Sequence, residues 1–265
     1  MPGLNLTMPI SLEVCIDSVE SAVAAQRGGA DRLELCRLLH VGGLTPSEAL
    51  MRAVRSSVAI HVFVMIRPRD GHFTYDRVEL QAMMHDIDLA KKCGVDGVVL
   101  GVLLPDGEVD VDATAELVSR ARPLQVTFHR AFDQCTDLER SLERVISTGA
   151  DRVLTSGGAA EAVQAAEKIA RLVDVARGRA SIMAGGGVRR QNVRDLILTS
   201  RVQEVHSTLG FSEWSKNVDW SGDGEDGSSS PASSRYVVEE SNVHDMRDIL
   251  DAISESQSVD IPGRR

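Results

Sequence analysis

A chain of 265 residues with 43% hydrophobic residues can bury a sizeable core, and at 3% aromatic that core is aliphatic, as parallel sheets are. The formal charge of −10, with no block of Lys and Arg, argues against binding to nucleic acid. No run approaches the ~18 apolar residues of a membrane span, and the start, MPGLNLTMPISL, lacks the basic-then-apolar order of a secretory signal; a soluble intracellular protein with no membrane partner is expected.

Apolar runs then alternate with amphipathic stretches. LEVCI (12–16) reads as the first strand. SVESAVAAQR (18–27) follows as a helix opened by a Ser with Glu close behind. RLELC (32–36) is the second strand, and TPSEALMRAVRS (45–56) the next helix, with Thr45 as cap and Pro46 as first helical residue. HVFVMI (61–66), GVVLGV (97–102) and LQVTFH (124–129) continue the strands, and TDLERSLERVIS (136–147) is a helix opened by Thr136. RVLTS (152–156), SIMAG (181–185) and QEVHS (203–207) bring the strands to eight. GGADRLEL (28–35), CGVDGVVL (93–100) and TGADRVLT (148–155) repeat one joint, in which a helix ends on Gly and a one-turn loop leads to a strand. Strict alternation of eight strands with helices predicts an α/β fold, a single-domain (β/α)8 TIM barrel with its core over 10–210; an open doubly wound sheet is the alternative. Residues 211–235, rich in Ser, Gly and Asp without periodicity, are expected to form a flexible loop, either plain disorder or a lid. Residues 236–257 then supply a C-terminal helix that closes the barrel.

Alternate residues of a strand face opposite sides, and charge is costly on the outward face that packs against helices. Glu13, Cys15 and Asp17 of the first strand therefore face the barrel interior, as do Glu34 and Cys36 of the second. Thr127 with His129, and Glu204 with His206, follow by the same parity. Active sites of this fold gather at the C-terminal ends of the strands, so the rim adds Arg67, Arg69, Arg130, Asp133 and Ser156. Four cysteines are present (Cys15, Cys36, Cys93 and Cys135), none in a CxxC pair, and neither a disulfide framework nor a structural zinc site is indicated. Thiols on neighbouring strands about 4.8 Å apart could share a soft ion, Cu(I) or zinc, or could simply pack. The turns TSGG (155–158), AGGGV (184–188) and HSTLG (206–210) fall where such barrels bind phosphate. Ser156, Gly157, Gly185, Gly186, Gly187 and Ser207 are the candidate anion contacts, with tight βα turns as the plain alternative. On an enzymatic reading Arg67 and Arg69 would hold a small anion, and Glu13, Glu34 or His129 would move protons, with Asp133, Glu204 and His206 beside them.

LEVCIDS, GGADRLELC, GGLTPS, MIRPR, GVLLPDG, VTFHRAFD, RVLTSGG, AGGGV with Asn192, and EVHST occur in this order. Together they resemble the copper homeostasis protein CutC family over residues 11 to 210. The resemblance implies a (β/α)8 barrel, a cytoplasmic setting, a homo-oligomer and a role in copper handling, with copper(I) held by Cys15 and Cys36. It implies no established enzymatic activity, and it leaves Cys93 and Cys135 as packing thiols. The expectation is a cytosolic copper(I)-binding protein; the alternative is a barrel enzyme acting on a small anionic or phosphorylated metabolite.

Overall fold

Each of the eight apolar runs is a strand of one closed parallel sheet in the computed structural model, which describes residues 9–214 and 234–259. The strands are β1 (Ser11–Ile16), β2 (Arg32–Leu35), β3 (His61–Met65), β4 (Gly97–Leu100), β5 (Gln125–Phe128), β6 (Arg152–Thr155), β7 (Ser181–Gly185) and β8 (Glu204–Ser207). They pair in sequence order, and β8 returns to β1, so the open sheet is excluded. The helices between them are α1 (Val19–Arg27), α2 (Glu48–Ser57), α3 (Arg77–Lys92), α4 (Val111–Ala121), α5 (Leu138–Ser147), α6 (Ala166–Ala176) and α7 (Val193–Ser200). None of the helices among the described residues is long and apolar enough to cross a membrane.

The register explains the alternation in the sequence. Val14 pairs with Leu33 and Ile16 with Leu35; all four are fully buried in the aliphatic layer between sheet and helices, which also holds Met51 and Val54 of α2 and Ile87 of α3. On the other face Glu13 lies beside Arg32, and Cys15 beside Glu34. The lumen is packed rather than hollow. Phe63 of β3 fills its centre because Gly97, its partner on β4, has no side chain; a Cβ there would meet the Phe63 ring at 2.6 Å.

The three repeated joints are built alike. Gly29, Gly94 and Gly149 all have positive φ (+92, +71 and +83°), the conformation glycine tolerates best. The Asp two residues later does more than turn the chain. Asp31, Asp96 and Asp151 accept the N–H of Leu12, Val62 and Val126 at 2.8, 2.8 and 2.7 Å, fastening each strand start to the one before it. Two helix starts differ from expectation. Ser47, not Thr45, caps α2, because Thr45 Oγ1 instead takes the Arg67 N–H at 2.9 Å. Asp137, not Thr136, caps α5.

Residues 211–214 and 234–235, expected within a loop, and 236–238, expected in the C-terminal helix, belong to strands. β9 (Gly210–Trp214) and β10 (Ser234–Val238) form an antiparallel ribbon. Tyr236 fixes its base: the hydroxyl accepts the Gly210 N–H at 3.0 Å and donates to the Thr208 carbonyl. The Val238 N–H donates to Ser21 Oγ of α1 at 3.2 Å. The rest of the expected loop, 215–233, lies outside the described residues. Helix α8 (Glu240–Val259) follows and buries Val243, Met246, Leu250 and Ile253.

Candidate functional site

A cavity of about 690 Å³ opens at the C-terminal ends of the strands. Cys15, Glu34 and His206 are on its wall, and Cys36 and Glu13 are buried beside them. Parity puts all five inside the barrel, each on a strand or one residue past its end. Cys15 Sγ lies 3.2 Å from Glu34 Oε2, Cys36 Sγ 3.5 Å from the same oxygen, and the two sulfurs are 4.0 Å apart. His206 Nδ1 is 2.7 Å from Glu13 Oε1, and its Nε2 is 3.9 Å from Glu34 Oε2. Met65, Phe63 and Val99 pack around the thiols.

Charge is distributed unevenly over this cluster. Burial would raise the Glu13 carboxyl, but Arg32 and His206 outweigh it and hold it at about 2. Glu34 has only His206, 3.9 Å away, to favour its charge: burial and the neighbouring Cys15 outweigh it and push the carboxyl well above the usual carboxylate range. The hydrogen bond between the thiols favours ionisation of one sulfur only. Cys36, with His206 in support, lowers Cys15 to about 6, while Cys36 itself is pushed well up. Burial opposes a charge on His206, yet Glu34, Cys15 and Glu13 together raise it well above an ordinary histidine.

Below this cluster lies a layer of paired charge. Arg32 donates to Glu13 and, at 2.6 Å, to Glu204; Arg152 donates to Glu204 at 2.6 Å and to Thr127 Oγ1 at 3.3 Å. Glu204 is therefore part of the barrel floor and does not line the cavity. Arg32 and Arg152 are inward by the same parity that singled out Glu34 and Glu204, so the signal for them was present in the alternation.

The rim residues divide into those that reach the cavity and those consumed by the loops. Arg67 reaches it, but its guanidinium donates to the carbonyls of Val41, Gly43 and Gly71 and lies 4.7 Å from the centre of the Phe73 ring. Arg69 does not: it is paired with Glu79, with the His72 and Thr74 carbonyls as further acceptors. Asp133 lines the cavity while accepting from Arg130, Thr155 Oγ1, and the N–H groups of Ser156 and Gly158. That ties the β6 turn internally, and Ser156 and Gly157 stay off the cavity wall. Gly185 is also off it, packed on Leu154 and His206, whereas Gly186, Gly187 and Ser207 are on it. His129 lines the wall with Nδ1 accepting the Ala131 N–H at 3.2 Å; burial, reinforced by Arg67, lowers it to about 3, so it is neutral. The glycine turn after β7 pointed to the helix start near Arg189, but the directions of its side chain and of Phe73 were not evident, because both lie in loops whose fold sets them.

Among the described residues two groups have metal-binding geometry, Cys15–Glu34–Cys36 and Glu13–Glu34–His206. The fold and this cluster define a (β/α)8 barrel with a buried thiol, carboxyl and imidazole site beneath its C-terminal mouth. The CutC family matches residues 10–211, and the chain belongs to that family. The human copper homeostasis protein cutC homolog is 48% identical over 195 residues, 74% of this chain and 71% of that protein. A CutC family protein of Vibrio campbellii is 47% identical over 201 residues, covering 75% and 81%. The crystal structure of a CutC protein from Streptococcus agalactiae superposes with a TM-score of 0.72 at 32% identity, over 75% of this chain and 98% of that one. Thiamine phosphate pyrophosphorylase from Pyrococcus furiosus, at 17% identity and a TM-score of 0.54 over 94% and 99%, shares the fold alone.

Proposed function

We propose that this protein binds copper(I) through Cys15 and Cys36 and serves in copper homeostasis. The observation that carries this reading is the pair of buried sulfurs 4.0 Å apart at the cavity floor. Metal–sulfur bonds of about 2.3 Å, as in zinc thiolates, would let one ion bridge them in a bent arrangement. Glu34 Oε2 is near both sulfurs and could complete a third position. Two thiolates select a soft ion such as Cu(I) or zinc over hard cations. The second group is a poorer candidate, since Glu13 is already committed to Arg32 and His206. Relatives named as copper homeostasis proteins support the choice of copper. The ligands must shed their protons, and Cys15, lowered to about 6, is largely ready to do so at neutral pH. All four cysteines are free, which suits a reducing, cytoplasmic compartment. The homo-oligomer implied by the family resemblance belongs to the same reading and is measured by light scattering.

The test is an anaerobic Cu(I) titration against a competing chelator, on the wild type and on Cys15→Ser/Cys36→Ser. One tight site per chain, lost in the variant while its circular dichroism is kept, is the expected result. Equal affinity in the two proteins would remove the thiol pair from consideration.

A further inference from the structure

The chain is acidic overall, yet cations gather at the cavity mouth. Arg67, Arg130 and Arg189 line it, against Asp133 and Glu34 as the carboxyl groups of the wall. Arg67 is tied to loop carbonyls, but the other two hold donors in reserve. Arg130 uses Nε on Asp133 at 2.8 Å and Nη2 on Ser156 Oγ at 2.9 Å, leaving Nη1 without a hydrogen bond among the described residues. Arg189 uses Nη1 on Glu161 at 2.7 Å. Both side chains are substantially exposed, at 43% and 60%, and exposed ion pairs of this kind contribute little, so they rearrange readily for a ligand.

Arg130 also lies against the turn after β7. A Cβ on Gly186 would come within 3.1 Å of its Cζ and 3.2 Å of its Nη1. The bare backbone thus lets a guanidinium approach the turn. Gly186 and Gly187 both have positive φ (+105 and +65°), and the N–H groups of Gly187 and Val188 make no hydrogen bond among the described residues. Consecutive free amides beside guanidinium forks suit a phosphate.

A separate observation points to a ligand in the same cavity. His129 is 4% exposed, and its Nε2 has no hydrogen-bond partner among the described residues. The Ala131 N–H bonded to Nδ1 leaves the ring proton on Nε2, so this wall residue holds an unused donor. Buried polar groups without partners are rare, and each calls for a partner such as a ligand atom or a water. The volume of about 690 Å³ falls in the common range for small-molecule sites, about 300–1,000 Å³.

We propose that this cavity binds a small phosphorylated compound. Arg130, Arg189 and the Gly187 and Val188 amides take the phosphate, and His129 Nε2–H donates to an oxygen elsewhere on the molecule. Two guanidinium groups and two amides at one turn offer more charge and more donors than a single carboxylate uses. None of these groups is hydrogen-bonded to Cys15 or Cys36, so the proposal stands apart from the copper reading.

The experiment is isothermal titration calorimetry of the full chain at low ionic strength with inorganic phosphate, ribose 5-phosphate and ribose. Both phosphates are expected to bind and ribose to give no heat. Arg189→Gln, at an exposed position, should weaken both phosphates at least tenfold, and Arg130→Gln/Arg189→Gln should abolish their binding. His129→Phe should weaken ribose 5-phosphate and leave inorganic phosphate unchanged, which a merely structural role for the ring would not produce. Cys15→Ser/Cys36→Ser should bind both as the wild type does. No heat from either phosphate at millimolar concentration, binding indifferent to the arginine changes, or binding lost with the thiols would each overturn the proposal.

Discussion

His129 is a neutral imidazole that the fold must keep neutral. Its pKa is lowered to about 3 by burial and by Arg67, whereas in the unfolded chain it returns to about 6.5. Between those values the unfolded state binds the extra proton, so folding stability falls as pH falls through that window. Urea unfolding of the wild type at a series of pH values should show this loss beginning near pH 6.5, and His129→Phe should flatten it above pH 4.5. Below that, Glu13, held at about 2, continues the loss in both proteins. Glu34 has the opposite sign. Its folded pKa is raised by burial, so ionisation of the unfolded chain opposes folding once pH exceeds the ordinary carboxylate value. Glu34→Gln keeps the shape without that penalty and should unfold at equal or higher urea than the wild type at pH 8. A loss beyond about 2 kcal/mol, the scale of a buried group left without its hydrogen bond, would show that the native site needs the carboxyl itself.

At the level of elements, the loop after β2 holds the thiol site in shape. Gly43 has φ +84°, and a Cβ on it would approach Cys36 Sγ to 2.8 Å. Gly43→Ala combines a strained backbone with a push on the sulfur, and a loss of about 1–3 kcal/mol in urea unfolding is expected; an unchanged midpoint would mean that the loop yields freely. The strands themselves were legible because outward positions must be apolar and inward ones need not be. Leu12, Val14, Leu33 and Leu35 therefore exposed Glu13, Cys15, Glu34 and Cys36 by elimination. The loops were less legible, because their polar groups choose among several partners only once the chain is folded. Arg69 finds Glu79, the β6 turn finds Asp133, and Thr45 leaves its helix for the Arg67 backbone. Nothing in the local sequence ranks those partners.

Across the whole molecule, the charged floor of the barrel ties strands that are distant in the chain. Glu13 on β1, Arg32 on β2, Arg152 on β6 and Glu204 on β8 form one buried network. Arg32→Met leaves two carboxylates short of a cation in a closed interior and should cost about 3–5 kcal/mol, read from the shift in the urea midpoint. A smaller cost would mean that Arg152 serves both acids alone. The same network bears on the order of folding. Arg32 and Glu204 are 172 residues apart, and His206 and Glu13 193 apart, so these contacts form only when the ends of the sheet meet. Until β8 docks, the acids and arginines remain hydrated, and an unfinished barrel gains nothing from them. Loop-closure entropy makes such distant pairings late and slow. Docking of the last strand is then the step expected to be slow, and a chain in the wrong register would bury these charges without their partners.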